Sequence, residues 1–171
     1  VPGDTTLALS WSSVSTADAY RVEYSTDGVL WTTKAAAQTA TTSTLSGLTN
    51  GVNYYVRVFA MNAAGSGGAG VSLGLPRGTA AKPTSLSALA DSNLSVSLSW
   101  AAPTSTGGTP VVKYQVGYTP AGGARQTVLT TNNATSYEVT GLVNGTVYTF
   151  DVAAVTRLAN EADAVNTVGA I

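Results

Sequence analysis

Nine acidic side chains are the residues of this chain best suited to acid–base or metal chemistry. They are Asp4, Asp18, Glu23, Asp27, Asp91, Glu138, Asp151, Glu161 and Asp163. A glycosidase holds two carboxyl groups about 5–10 Å apart across a cleft, whereas these residues are dispersed along the sequence. The chain also has no His and no Cys, so the commonest general base and the commonest zinc ligands are missing. We therefore predict no catalytic residue, no cofactor and no metal site.

Two short motifs match binding signatures but lack the context that those signatures need. The stretch Gly65-Ser-Gly-Gly-Ala-Gly70 fits the pattern G-x-G-x-x-G, which binds a dinucleotide only where it opens a helix. A strand-like segment, 71–75, follows it instead, so we predict a flexible loop between the sixth and seventh strands. Glu161 and Asp163 offer only two carboxylates, which makes a weak calcium site.

Trp31 is the aromatic residue most able to reach a partner, since exposed rings dominate protein binding sites. It follows the turn Asp27-Gly28. The alternative, which we favour, is that its ring packs against the outside of the third strand beside Tyr24. N-glycosylation sequons begin at Asn93, Asn133 and Asn144. Chance matches are expected in a chain so rich in Thr and Ser, and the Lys-poor composition favours a bacterial or phage source.

Charge and hydropathy exclude two classes of partner. Eight basic and nine acidic residues give a net charge of −1, and the basic residues are scattered. A nucleic-acid-binding protein needs clustered positive charge to displace counterions from phosphates. No apolar run approaches the roughly 20 residues that span a bilayer. We predict neither nucleic-acid binding nor membrane insertion.

Three segments of the chain occur twice. The matching pairs are 45–60 with 139–154, 7–11 with 96–100, and 20–24 with 114–118. The spacing is 94 residues from Leu48 to Leu142 but 89 from Trp11 to Trp100. The difference predicts a longer loop at 101–110 in the second copy. A period of this length indicates a repeated module.

The repeated segments alternate apolar and polar residues. One face of the sixth strand carries Tyr54, Val56, Val58 and Ala60. A period of two indicates strands buried on one side. Turn signals separate the strands at Asp27-Gly28, Asn50-Gly51, Gly122-Gly123 and Asn144-Gly145. Many short strands with frequent turns predict an all-β sandwich or barrel.

These motifs resemble the fibronectin type III family. The shared features are a Trp that closes the second strand, a Tyr-x-Val-x-Tyr third strand, and Leu-x-Asn-Gly-x-x-Tyr before the sixth strand. The resemblance covers nearly the whole chain and implies two immunoglobulin-like β-sandwiches in tandem. It also implies that the structural residues are Trp11 and Trp100 in the cores, Tyr54 and Tyr148 in hydrogen-bonded corners, and Leu48 and Leu142 beneath those corners. Some members bind integrins through Arg-Gly-Asp in the loop after the sixth strand, and neither copy has that motif.

The two modules are predicted to divide near the Pro- and Gly-containing stretch 75–83. We assign 1–76 to the first, 77–82 to the linker and 83–171 to the second. The second copy has a first strand at about 86–90, whereas only 1–6 precede the second strand of the first copy. Either the chain is a fragment cut at this point, or another segment or a neighbouring subunit covers that sheet edge, or the edge stays open.

The sequence therefore predicts a non-catalytic pair of modules. We expect a spacer or adhesive segment of a larger extracellular or cell-surface protein, with the neighbouring domains of the same polypeptide as partners. Self-association through the first-domain sheet edge is a further predicted interaction. The alternative is a structural virion protein, such as a phage tail, fibre or capsid decoration subunit, or a self-assembling surface filament. A carbohydrate-binding module ranks below both, because Trp31 alone would have to form its platform.

Overall fold

The computed structural model describes residues 2–91, 94–158 and 162–170, with the backbone alone described at 167–170. All the regular secondary structure in these residues is β-strand, so the predicted all-β class is confirmed. The chain divides into two compact units, Val1–Gly78 and Thr79–Ile171. Each unit has one three-stranded and one four-stranded sheet, which is the sandwich arrangement that the resemblance implies.

The described part of the first unit contains seven strands. They are β1 (Pro2–Gly3), β2 (Thr6–Ser10), β3 (Ala19–Ser25), β4 (Thr32–Gln38), β5 (Thr42–Leu45), β6 (Tyr54–Asn62) and β7 (Gly65–Gly74). One sheet has the order β1-β2-β5 and the other β4-β3-β6-β7. All neighbouring strands are antiparallel.

The described part of the second unit repeats this arrangement. Its strands are β8 (Thr84–Ala90), β9 (Val96–Ala101), β10 (Val111–Pro120), β11 (Gln126–Leu129), β12 (Ser136–Val139), β13 (Tyr148–Thr156) and β14 (Ala164–Ala170). The orders are β12-β9-β8 and β11-β10-β13-β14. The pairs are again antiparallel, so each unit is a sandwich of two antiparallel sheets.

Each unit has its own apolar core, built mostly from the alternating strand residues. The first core contains Leu7, Val22, Leu45, Leu48, Tyr54 and Val56. The second contains Ala80, Leu98, Trp100, Tyr114, Val116, Val139, Leu142, Phe150, Val152 and Ala154. Burying one face of each sheet removes these side chains from water, which is the main favourable term in folding.

The boundary between the units falls after Gly78, within the stretch predicted as a linker. Pro76 accepts a hydrogen bond from the Gly51 amide at 2.9 Å, and Ala81 donates one to Ser105 at 2.8 Å. Ala80 is 2% exposed in the second core. Ala80 and Ala81 of the predicted linker are therefore attached to the second unit.

The glycine-rich stretch that we expected to be a loop is a strand, so that expectation was wrong. It forms the first part of β7, and its backbone pairs with β6 from Asn62 opposite Gly65 to Val58 opposite Gly70. Ladder hydrogen bonds need only the backbone, so glycine satisfies them despite its low strand propensity. No helix begins at Gly70, and the dinucleotide signature therefore lacks its anion site.

The two first strands differ in length. In the second unit β8 pairs with β9 from Thr84 to Ala90, beginning two residues before the predicted strand. In the first unit β1 is two residues long, with Pro2 opposite Leu7 and Gly3 opposite Thr6. The second strand of the first unit therefore has a neighbour on this side along only part of its length.

The two repeated tryptophans lie at equivalent positions with different burial. Trp100 is 6% exposed, and its ring meets that of Tyr114 edge to face at 5.1 Å. Trp11 meets Tyr20 in the same way at 5.6 Å but is only half-buried. Since each ring meets the equivalent tyrosine in the same way, we attribute the difference in exposure to the residues that cover the other side of each ring.

Both predicted tyrosine corners are present in the geometry. The Tyr54 hydroxyl accepts a hydrogen bond from the Thr49 amide at 3.0 Å, and that of Tyr148 accepts one from Val143 at 3.1 Å. Leu48 and Leu142, 5% and 7% exposed, are buried immediately before these amides. The turns need glycine, since Gly51 and Gly145 have φ of +79° and +76°, a region that L side chains rarely adopt.

We expect Tyr54→Phe and Tyr148→Phe each to lower the free energy of unfolding of its own unit by about 0.5–1.5 kcal/mol, the usual net value of one hydrogen bond. The ring remains and only the hydroxyl is lost, so core packing does not change. Denaturant titration of each variant measures the effect, with Tyr55→Phe on the exposed face of β6 as the matched control. Unchanged midpoints for both corner variants would contradict a stabilising role for these bonds.

Candidate functional site

The outer face of the sheet β4-β3-β6-β7 carries an unusual group of side chains, which we call the arginine–aromatic face. Its members are Arg21, Glu23, Trp31, Arg57 and Phe59. Strand alternation places them there: Val22 and Val56 point into the core, so their neighbours on β3 and β6 point out. Arg57 lies opposite Glu23, and Phe59 lies opposite Arg21.

Aromatic rings and guanidinium groups stack on this face. The Arg57 guanidinium lies 3.8 Å from the centre of the Trp31 ring and 5.2 Å from that of Phe59. The Arg21 guanidinium lies 4.3 Å from the Phe59 ring. Cations attract the negative face of an aromatic ring, at about 0.5–1 kcal/mol where water has access. The Arg57 guanidinium thus lies against both rings, and Arg21 lies against Phe59 as well.

Glu23 balances the positive charge of both arginines. Its carboxylate lies 3.0 Å from Arg21 Nε and 2.6 Å from Arg57 Nη2, and its side chain is 10% exposed. The Arg57 Nε–H also donates to Glu23 at 2.6 Å. One carboxylate between two guanidiniums leaves a local excess of one positive charge, held close to the sheet.

Trp31 is positioned by the turn that precedes it. The Asp27 carboxylate accepts hydrogen bonds from the amides of Val29 and Leu30 and from the Ser25 hydroxyl. These donors stabilise the charged form and lower the pKa of Asp27. The Trp31 Nε1–H then donates to the Gly28 carbonyl at 3.1 Å, which orients the ring toward Arg57.

The structure places Trp31 on the outer face of the sheet, beside Arg57 rather than beside Tyr24. Its ring lies against Arg57, whereas Tyr24 packs in the core with its ring 6.2 Å from that of Tyr54. Tyr24 and Trp31 are therefore on opposite sides of the sheet. Trp31 remains half-buried, so part of the indole is open to solvent.

Exposed apolar side chains lie beside the arginine–aromatic face. On β7, Val71 and Leu73 are 65% and 63% exposed, and they lie opposite Arg57 and Tyr55. Leu30, in the turn before Trp31, is 77% exposed. Apolar residues grouped on a sheet face, rather than scattered singly, are typical of surfaces that contact another molecule.

The second unit has a different arrangement at the equivalent positions. The repeat places Arg125 where the first unit has Trp31 and Asp151 where it has Arg57. These two side chains form an ion pair, and Asp151 raises the pKa of Arg125. Gly117 stands in place of Glu23, and a Cβ there would lie 2.5 Å from Arg125 Nη2. The arginine–aromatic face is thus a property of the first unit.

The sequence singled out Trp31, but not the two arginines, as a candidate binding residue. A comparison of the two copies could have identified Arg57. The pair Trp31 and Arg57 of the first copy is replaced by Arg125 and Asp151 at the equivalent positions of the second. A paired change of this kind indicates two residues in contact. Arg21 and Phe59 have no such counterpart, and only the register of β3 and β6 brings them together.

Most of the described carboxylates have structural partners. Asp4 accepts from Asn50 at 2.7 Å, and Asp91 accepts from Ser97 at 2.6 Å. Asp163 pairs with Lys113 at 2.5 Å and Arg157 at 3.5 Å, and Lys113 lowers the pKa of Asp163. In the described ranges no three acidic residues come together as metal ligands would. Glu161, which completed the weak calcium motif, and the sequon at Asn93 lie outside the described residues.

The sequence model of the Fibronectin type III domain matches this chain twice, over residues 2–73 and 81–166. The Receptor-type tyrosine-protein phosphatase F of Danio rerio is 32% identical over 114 residues, which are 66% of this chain and 6% of that protein. The Kelch domain-containing protein SSO1033 of Saccharolobus solfataricus is 25% identical over 166 residues, which are 97% of this chain and 22% of that protein. The chain therefore spans less than a quarter of the length of either relative.

A solved structure shows the same fold. It is a two fibronectin type-III domain segment from chicken tenascin, which has a TM-score of 0.50 and 24% identity to this chain. The comparison covers 100% of this chain and 94% of the tenascin segment. Both sandwiches thus have counterparts in one tandem of known structure.

Proposed function

Because this chain belongs to the fibronectin type III family, we propose that it is a non-catalytic module pair, a spacer or adhesive segment of a larger extracellular or cell-surface protein. The observation that carries this proposal is that acidic side chains of both units are paired with basic ones. Glu23, Asp151 and Asp163 each form ion pairs with basic residues. Each of these three carboxylates thus has a structural partner within its own unit.

A second observation supports a modular role. Each unit has its own core, as expected of a domain that folds independently and is joined to others in series. In the described residues no helix is long and apolar enough to cross a membrane. The partners we infer are the neighbouring domains of the same polypeptide.

The arginine–aromatic face favours adhesion over a purely passive spacer. Trp31 and Arg57 are of the residue types that dominate binding hot spots, and Leu73 adds exposed apolar surface beside them. We infer that a protein partner with an acidic and apolar surface would fit here, because Glu23 leaves one of the two guanidinium charges uncompensated. A carbohydrate platform is less well supported, since Arg57 covers one side of the indole.

The alternative function is assembly into a virion or a surface filament, which the bacterial or phage style of the composition favours. Measurement of mass by sedimentation velocity across a wide concentration range separates the two. We expect a monomer. A filament or a symmetric oligomer would support the virion or filament alternative.

We also expect no hydrolase or transferase activity and no binding of ATP or NAD. Saturable nucleotide binding that Gly67→Asp abolishes would contradict the non-catalytic proposal.

A further inference from the structure

The strand β7 forms an open edge of the sheet β4-β3-β6-β7. It pairs with β6 on one side, and no strand of the described residues lies on its other side. It has ten residues, whereas the other edge strands described have two to seven. Residues 65–73 are all exposed, and Gly74 is half-buried. The backbone donors and acceptors that alternate along this edge are therefore open to solvent.

This edge lacks the side chains by which proteins usually protect an exposed strand. Protected edges are short or carry charged residues or proline. Residues 62–75 contain no charged side chain and no proline, whereas β4, at the opposite edge of the same sheet, carries Lys34. One irregularity interrupts the pairing, between Phe59 and Met61 of β6, so residues 69–74 form a regular ladder. Such an edge favours pairing with a further strand.

The regular part of this edge also presents apolar side chains. Val71 and Leu73 are exposed, and they lie on the side of the arginine–aromatic face because Val71 is opposite Arg57. A strand added beside β7 would lay every second side chain against Val71 and Leu73. Its other side chains would lie beside the small residues Gly70 and Ser72, which leave room for them.

A second copy of β7 fits this edge poorly. If two copies paired antiparallel over residues 65–74, Leu73 would lie opposite Ser66 and Val71 opposite Gly68, so neither apolar side chain would meet another. A register that brings Val71 opposite Leu73 extends to Pro76, which has no amide hydrogen to donate. Self-pairing would also bring a second net positive charge onto the same sheet face, where a partner of opposite charge would balance the first.

We propose that the β7 edge binds an extended segment of a protein partner, which joins the sheet as a fifth strand. The segment is uncharged where it pairs, because β7 has no charge to balance one, and it carries apolar side chains at alternate positions that cover Val71 and Leu73. Under the proposed adhesive role, on which this assignment rests, the strand supplies the apolar part of the partner. The acidic part of the same partner lies over the arginine–aromatic face.

Two synthetic peptides test this proposal on the whole chain. Both have about nine residues, with valine and threonine alternating between terminal glutamates, and they differ only in which alternate set of amides is N-methylated. In an added strand only every second amide faces β7, so we expect one peptide to bind at least about tenfold more tightly than the other. NMR titration measures binding. At saturation with the tighter peptide, amide exchange in 69–74 should slow about tenfold.

The matched protein variants are Leu73→Lys and Leu89→Lys. Both leucine side chains are largely exposed, at 63% and 69%, so both variants should fold as the parent does. Leu73→Lys removes an apolar contact and places a charge beside the added strand, which should weaken binding of the tighter peptide by at least about tenfold. Leu89→Lys lies on β8 of the second unit and should leave this binding unchanged.

Three results would overturn the proposal. Equal binding of the two peptides, or binding of neither, means that the edge does not accept a strand. An equal loss in the two lysine variants means that the peptide does not lie along β7. Exchange in 69–74 that slows with protein concentration alone identifies a second copy as the occupant. Nucleotide binding, or an oligomer in which this exchange is unchanged, would instead contradict the proposed function and leave the peptide result at β7 as it stands.

Discussion

Replacement of Trp100 by Ala should unfold the second unit while the first remains folded. The ring is 6% exposed and packs on Tyr114 and the other members of the second core. Removal of a buried aromatic side chain costs about 3–5 kcal/mol, which is a large part of the 5–15 kcal/mol that stabilises a typical domain. Differential scanning calorimetry, with NMR to assign the transitions, measures this effect.

Trp11→Ala is the matched control for this prediction. Trp11 occupies the equivalent strand position, but it is half-buried, so less apolar surface is lost. We expect a smaller loss, roughly 2 kcal/mol, confined to the first unit. Equal losses in the two variants would contradict the difference in burial, and melting of both variants like the parent would contradict the assignment of these residues to the cores.

Glu23→Ala should destabilise the first unit by roughly 1–3 kcal/mol. The carboxylate is 10% exposed and lies between Arg21 and Arg57. Its removal leaves two like charges close together and partly desolvated. Breaking a buried ion pair costs about 3–5 kcal/mol, whereas exposed pairs contribute about 0–1 kcal/mol. The arginine side chains are 33% and 28% exposed, so an intermediate value is expected from urea titration.

Two further measurements separate charge from packing in this cluster. Glu23→Gln keeps the shape and an acceptor but removes the charge, and it should lose most of the same stability. High salt should reduce the difference between Glu23→Ala and the parent, because ions screen repulsion between the two arginines. A deficit that does not change with salt would show that packing, not charge, is responsible.

The repeat predicted the fold because its signals are local. A Trp at the end of an alternating segment and a Leu-x-Asn-Gly-x-x-Tyr turn specify where a strand begins, which side it buries and where the chain reverses. Tyr54 and Tyr148 illustrate this: each hydroxyl bonds an amide only five residues earlier in the chain. Contacts over such short distances in sequence follow from the local pattern.

Local patterns were misleading where backbone pairing decided the outcome. Gly65–Gly74 has the composition of a loop, yet it is a full strand because β6 offers a complementary row of donors and acceptors. Ala80 is a second example of a contact that neighbouring residues do not predict. It belongs to a stretch of loop composition, yet it is buried and its amide donates to the distant Asn166.

The sequence by itself determined the class, the two-fold repeat, the corner tyrosines and the strand alternation, because each depends on neighbouring residues along the chain. Tertiary structure decided the arginine–aromatic face. The segment that leads into β4 and the strand β6 lie on either side of β3 in one sheet, and Arg57 reaches Trp31 across β3. This face depends on which strands become neighbours, and that depends on the packing of the whole unit.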